Sequence, residues 1–269
     1  MVNPVPLRSS SKVIKIINKA IEEGRMLSEF EMAQTIQLID SMNKSHDDRS
    51  DIVLTCYYSI MSDIDGLLYH ANKAIKDLMS YQDSVPWPLV GNIITALGNS
   101  LRFGEIHNLL EKYDIPLFNE IMISLGLKSY LFSGDLKGYE RIKEEYSKNS
   151  IIEDNVEKTF RFLCNNKNDL TNISSYIIDS LDIISRKTSK RLIEDFGLLP
   201  ISVFDVENYI DDGHEFISFV FFLSENISVD DAICLEDELI EEISNLNYPS
   251  RIKTLVTYSL FVDEGEGDQ

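Results

Sequence analysis

The sequence has few of the features that would announce a chemistry. Only three cysteines occur in 269 residues, Cys56, Cys164 and Cys234. They are odd in number and contain no CxxC pair, which excludes a disulfide framework and a thiolate zinc site of ordinary spacing. No apolar run is long enough to span a bilayer, since the longest, Phe216 to Leu223, is broken by Ser218. The first residues, Met1-Val-Asn-Pro-Val-Pro-Leu-Arg8, lack the apolar segment and small-residue site of a secretory signal. There is no HExxH and no GxxxxGK[ST], and Gly98-Asn-Ser100-Leu-Arg102 lacks the closing glycine of a nucleophile elbow. The four histidines, His46, His70, His107 and His214, are isolated from one another. Asp63-Ile-Asp65-Gly66 imitates the middle of a calcium loop, but Met61 and Asn72 stand where ligands are needed. Asp211, Asp212, His214 and Glu215 read as a solvated turn. These absences predict a cytoplasmic, non-enzymatic protein with no catalytic residues, no metal and no cofactor.

Positive charge is also scarce. The chain has 25 basic and 45 acidic residues, for a net charge of −20. That balance disfavours direct nucleic-acid binding and attachment to an anionic membrane. The deficit is local: residues 194–269 hold 19 of the acids and only two bases, Arg251 and Lys253, for a net of −17, leaving −3 for residues 1–193. Two basic clusters run against the trend. Lys12, Lys15 and Lys19 share one helix face, and Arg186-Lys187-Thr-Ser-Lys190-Arg191 reads as a helix end that partly neutralises the acidic region.

What the sequence does have is helical period. Apolar residues recur at three- and four-residue spacing over 11–23, 29–42, 49–61, 65–80, 88–101, 103–113, 117–132, 136–147, 153–165 and 173–186, with a final helical turn at 191–196. Ser84-Val-Pro-Trp-Pro88, Asp114-Ile-Pro116 and Ser133-Gly-Asp135 punctuate them with turn chemistry. Short helices joined by short turns predict antiparallel hairpins stacked side by side. After Gly197 the period changes. Residues 201–210 and 216–223 read as strands, the second apolar enough to be buried on both faces. Residues 229–246 return to helix and 252–262 alternate as a third strand, giving the order β-β-α-β. The expected fold is therefore mainly α with a smaller α+β part: a helical repeat-like domain over 1–193, an acidic α+β domain over 194–262, and a flexible acidic tail over 263–269.

Two hairpins resemble tetratricopeptide repeats. In Gly126-Leu-Lys-Ser-Tyr-Leu-Phe-Ser-Gly134-Asp135-Leu136, the spacing of Tyr130, Gly134 and Asp135 is similar to that family's first-helix end and tight turn. Tyr57-Tyr58-Ser-Ile-Met-Ser62-Asp63, leading to Ala71 and Ala74, is similar without the turn glycine, and Leu97-Gly98-Asn99-Ser-Leu101-Arg-Phe-Gly104 resembles it with a one-residue deletion. Matched on Tyr58, Leu101 and Tyr130, the intervals are 43 and 29 residues, where a regular array holds near 34. The resemblance covers about 50–150 and implies a protein-binding scaffold.

Two protein-binding surfaces follow. One is the acidic face of the 229–246 helix, with Asp230, Asp231, Asp237, Glu238, Glu241 and Glu242 as contacts for a basic partner, as in an immunity protein, an antitoxin or a charge-mimic inhibitor. The other is the concave face of the hairpins, where an assembly adaptor or chaperone would use Tyr57, Tyr58, Tyr69, Trp87 and Phe103 as anchors. A regulatory subunit or a divergent enzyme is the remaining alternative.

Overall fold

The computed structural model describes residues 9–45, 49–81, 84–146, 154–201, 203–211, 214–224 and 226–262. The acidic tail, and Asp212 and Gly213 of the expected turn, lie outside them. Helices α1 (Ser9–Glu22), α2 (Glu29–Lys44), α3 (Ser50–Ile60), α4 (Ile64–Met79), α5 (Trp87–Asn99), α6 (Phe103–Tyr113), α7 (Glu120–Phe132), α8 (Leu136–Tyr146), α9 (Asp154–Asn165), α10 (Leu170–Ile183) and α11 (Ser189–Phe196) come first. Strands β1 (Phe204–Asp211) and β2 (His214–Leu223), helices α12 (Val229–Ser244) and α13 (Ser250–Leu255), and strand β3 (Val256–Val262) follow. The protein is mainly α with a small mixed sheet, as its periodicities predict.

Side-chain oxygens start several helices by accepting an otherwise orphaned amide. Asp63 caps α4 through Gly66 N–H, Asn119 caps α7 through Met122 N–H, and Ser228 caps α12 through Asp231 N–H. At α2 the cap is reciprocal, Ser28 with Glu31.

The first four hairpins share one backbone device. At the end of α1, α3, α5 and α7 the chain turns through a left-handed residue, at Gly24 (φ +63°), Ser62 (+52°), Leu101 (+58°) and Gly134 (+76°). The next amide reaches back five residues: Arg25 to Ala20, Asp63 to Tyr58, Arg102 to Leu97, and Asp135 to Tyr130, all at 2.9–3.0 Å. Leu97, not Leu101, is therefore the counterpart of the two tyrosines. The expected register is corrected by four residues, and the intervals become 38, 39 and 33. The repeat-like array is more regular than its sequence and begins one hairpin earlier. In two of the four hairpins the likeness extends to side chains. The Tyr58 ring lies over Gly66 and the Tyr130 ring over Gly138, where an added Cβ would sit 2.8 and 2.3 Å away. Asp63 and Asp135 accept the amides of those same glycines. The odd-numbered helices pack on one another in order, α1 on α3, α3 on α5 and α5 on α7, so one face of the array is made of first helices only.

Between α10 and α11 the sequence leaves a break at 187–190, but the chain stays helical through a π-turn, Ile184–Thr188. One extra residue per turn frees carbonyls from the α ladder. The Ser185 carbonyl accepts the Ser62 hydroxyl at 2.7 Å, and Ser185 Oγ donates to the Ser100 carbonyl at 2.8 Å. This buried serine network ties the π-turn to two of the hairpin turns.

The sheet has the order β1-β2-β3, with β1 antiparallel and β3 parallel to β2. Its inner face, with Phe219, Phe221 and Tyr258, lies on the helices. Phe132 meets Phe219 at 5.3 Å and Phe103 meets Phe204 at 5.8 Å between ring centroids. One hydrophobic core accordingly runs from α3 through the array into β1, β2, α12 and β3, with a smaller one among α1–α3.

Two expectations are corrected here. β2 is buried throughout on its inner face only: on the other face Ser218 is buried and Val220 half-buried, but Phe222 is 39% exposed and meets Phe261 of β3, itself 50% exposed. The third strand begins at Val256 rather than 252. Pro249 opens α13, accepting the amides of Ile252 and Lys253; Ile252, Leu255 and Val256 fit a helical period just as Ile252, Thr254 and Val256 fit an alternating one. Both sheet edges are occupied. Glu236 of α12 accepts the Leu260 amide at 2.8 Å on the β3 side, and α9 lies along β1.

Candidate functional site

The face made by the odd helices carries a groove of about 440 Å³. Ile14, Ile17 and Ile21 of α1 form one wall, Cys56, Ser59 and Ile60 of α3 and Gly91, Asn92, Thr95 and Asn99 of α5 form the floor, and Phe118, Asn119 and Ile121 form the far wall at the start of α7. Leu199 and Pro200 close one side. A Cβ at Gly91 would lie 2.9 Å from the tip of the half-exposed Phe118 ring, which would have to swing aside. Three apolar side chains at the rim are about half exposed, Ile21 at 46%, Phe118 at 45% and Ile121 at 60%.

The groove's chemistry is defined by what lines it. None of the described lining residues is charged, in a chain with 70 charged side chains. Its polar groups are amides and hydroxyls, with Asn18, Asn92, Asn99 and Asn119 spread over two helices and a cap. Such groups donate and accept without a fixed charge. The one thiol is unsuited to nucleophilic work: burial pushes Cys56 up to about 12, far from the thiolate form. The groove can bind an apolar chain segment and hydrogen-bond its backbone. Among the described lining residues there is no acid, base or activated nucleophile.

The aromatic anchors expected on the hairpins lie elsewhere, and none of the five lines the groove. Phe103 is a correction: it is 1% exposed, wedged between Phe132 and Phe204, and cannot touch a partner. Tyr58 is half-buried between Gly66 and the His70 ring, and Tyr57 packs on the smaller core. Trp87 is a half-buried corner at the start of α5. Only Tyr69 is open, at 63%, with its edge against His70. Sequence reasoning missed Ile14, Ile21, Phe118 and Ile121. One signal was present: α1 has more isoleucines than its buried stripe of Val13, Ile17 and Ala20 can hold.

The acidic helix presents its carboxylates outward, but half of them are already engaged. Glu238 pairs with Arg191, and Glu242 with Lys187 at 2.5 Å. Asp231 accepts the Ser228 hydroxyl at 2.6 Å. Asp230, Asp237 and Glu241 are exposed and form no ion pair among the described residues. The basic 186–191 segment does face the acidic region, and Arg186 also pairs with Asp65 and Asp182.

Other polar clusters are architectural. Asp51, nearly buried, bridges His70 at 2.7 Å and Lys73 at 2.9 Å. Its hydrogen bond holds the Lys73 ammonium above the usual range. Glu157 accepts from Tyr139 and pairs with Lys143; burial pushes the Tyr139 phenol up, and Lys143 and Tyr139 pull the carboxyl down against burial. Among the described residues no group of His, Cys, Asp and Glu is placed to hold a metal ion, and no helix is long and apolar enough to cross a membrane. No protein-family model matches the chain, nor does any curated protein or solved structure.

Proposed function

We propose that the protein is a non-enzymatic binding scaffold that seats a segment of another protein in the groove of its odd-numbered helices. The observation that carries this reading is an uncharged, half-open apolar groove on the one face where four hairpins converge. Contiguous exposed apolar surface marks interaction sites in soluble proteins, and solenoid-like arrays commonly bind along the face their first helices share. Fully burying one large aliphatic or aromatic side chain is worth about 1.5–3 kcal/mol. Covering the exposed half of Ile21, Phe118 and Ile121 then contributes on the order of 2–4 kcal/mol. A micromolar complex needs about 8 kcal/mol net, so the groove anchors a partner that must also touch its surroundings.

The test is retention of partners from the native host by the wild-type chain against Ile21→Asp and Ile121→Asp. Both positions are exposed, and circular dichroism checks the fold. The expected result is loss of the retained proteins by at least about tenfold, the cost of one buried charge without a partner. Retention unchanged in both variants overturns the reading.

A second reading keeps the acidic helix as the contact for a basic protein, the neutralising role. It is supported by Asp230, Asp237 and Glu241, which have no internal cation among the described residues. Retention that collapses on raising salt from about 0.05 to 0.3 M, and on Asp237→Lys with Glu241→Lys, would favour it over the groove.

A further inference from the structure

The apolar groove does not end at the amide of Asn18. Ile14, Asn18 and Asn92 also line a second hollow, of about 550 Å³, on the adjoining side of α1. There the chemistry reverses. Lys15 and Lys19 project from α1 and Arg49, itself already engaged, comes from the start of α3, with Glu22 as the one carboxylate among the described lining residues. A chain of net charge −20 thus opens its groove onto a shelf where, among the described residues, Lys15 and Lys19 outnumber the carboxylate of Glu22.

Lys19 stands in the last turn of α1, where the helix dipole favours a cation, and Lys15 lies mid-helix, beyond the reach of either end. α1 has no acidic residue in its first turn, so no carboxylate of that turn draws on Lys15. Lys15 has no ion pair among the described residues, and Lys19 reaches Glu23 only at 3.7 Å. Their charge is available to something outside the chain.

We propose that the groove and the shelf together bind one bipartite segment: apolar side chains seated between Ile21, Phe118 and Ile121, followed by aspartates or glutamates on Lys15 and Lys19. The inference rests on the groove reading and adds the sign of the partner. It is the opposite of the sign that the chain's net charge suggests. The net charge acts at long range and is screened within about a Debye length, whereas the shelf acts at contact, beside an apolar trough from which water is displaced. An acidic segment is therefore held only where its apolar part is seated, which makes the two halves of the site interdependent.

The experiment is selection of a random twelve-residue peptide library on the full chain, with the enriched peptides synthesised and titrated by fluorescence anisotropy. The expected consensus is two or three apolar residues flanked on one side by two or more Asp or Glu. Ile121→Asp weakens these peptides at least tenfold, and the double variant Lys15→Glu/Lys19→Glu does likewise. The double variant regains affinity for the same peptides synthesised with Lys in place of their acids, a rescue that a misfolded variant could not give. Peptides that need Ile121 but carry no acids, or carry bases, overturn the bipartite site and leave the groove reading standing. No enrichment, enrichment indifferent to Ile121→Asp, or a dimer in sedimentation that Ile121→Asp dissociates overturns both.

Discussion

Gly24 and Gly134 occupy the same place in two copies of one turn, yet they are constrained differently. Both have a positive φ, which an L side chain tolerates poorly. A methyl group added at Gly24 would meet nothing within 4 Å, whereas one added at Gly134 would lie 2.5 Å from Ser174 Oγ and 3.2 Å from Ser174 Cβ. Gly24→Ala should cost only the backbone strain, about 1 kcal/mol. Gly134→Ala should add a steric term, for about 2–3 kcal/mol. Urea midpoints at constant m-value measure both, and equal losses would mean that α10 yields to the methyl without cost. The comparison also shows why the repeat was only partly legible. Its invariant is a backbone state, which Gly24 and Gly134 announce by residue type and Ser62 and Leu101 do not. Leu101 instead draws the register to itself because it is the apolar residue nearest the turn, although Leu97 is the structural match.

Helices end and begin on local chemistry, and their termini are where pH can be felt. The start of α2 is held by Glu31, which accepts from the Ser28 amide and hydroxyl at 2.9 and 2.8 Å and pairs with Arg25 at 2.7 Å. The Arg25 guanidinium, first, and the Ser28 bonds bring the Glu31 carboxyl down to about 2 from an ordinary 4.5. A depressed folded-state value contributes stability above the unfolded value and loses it as pH falls through the folded one. The contribution is thus whole above about pH 4.5 and gone near pH 2. Glu31→Gln should lower the urea midpoint at neutral pH, and the gap from wild type should close between those two values. A gap that persists at about pH 2 would assign the loss to packing rather than charge. At this scale most elements were legible, because caps and periods are written in neighbouring residues. The exceptions were α13, six residues that fit two periods, and the π-turn, whose freed carbonyl is satisfied by Ser62 from a distant hairpin.

For the whole molecule, charge and packing divide the chain differently. The acidic excess begins near residue 194, but the core crosses that point without a seam, through Phe103, Phe132, Phe204 and Phe219. The candidate groove belongs to this scale too. Its walls come from α1 and α7, about a hundred residues apart in sequence, and nothing local to Ile21 or Ile121 states that they will face each other. The sheet has a further consequence, for the order in which the molecule assembles. The four hairpin turns close over five residues each, while the parallel pairing of β2 with β3 joins Ile217 to Val256 across an intervening two-helix connection. Local closures lose little chain entropy and form early; the distant parallel pairing waits. Pulsed hydrogen exchange during refolding should find the amides of Arg25, Asp63, Arg102 and Asp135 protected before those of β3. Simultaneous protection would mean that the hairpins cannot hold until the sheet has closed over them. On the expected order, the apolar inner face of β2 is the last large surface to leave water. A refolding chain is then most open to aggregation late, after its helices are built.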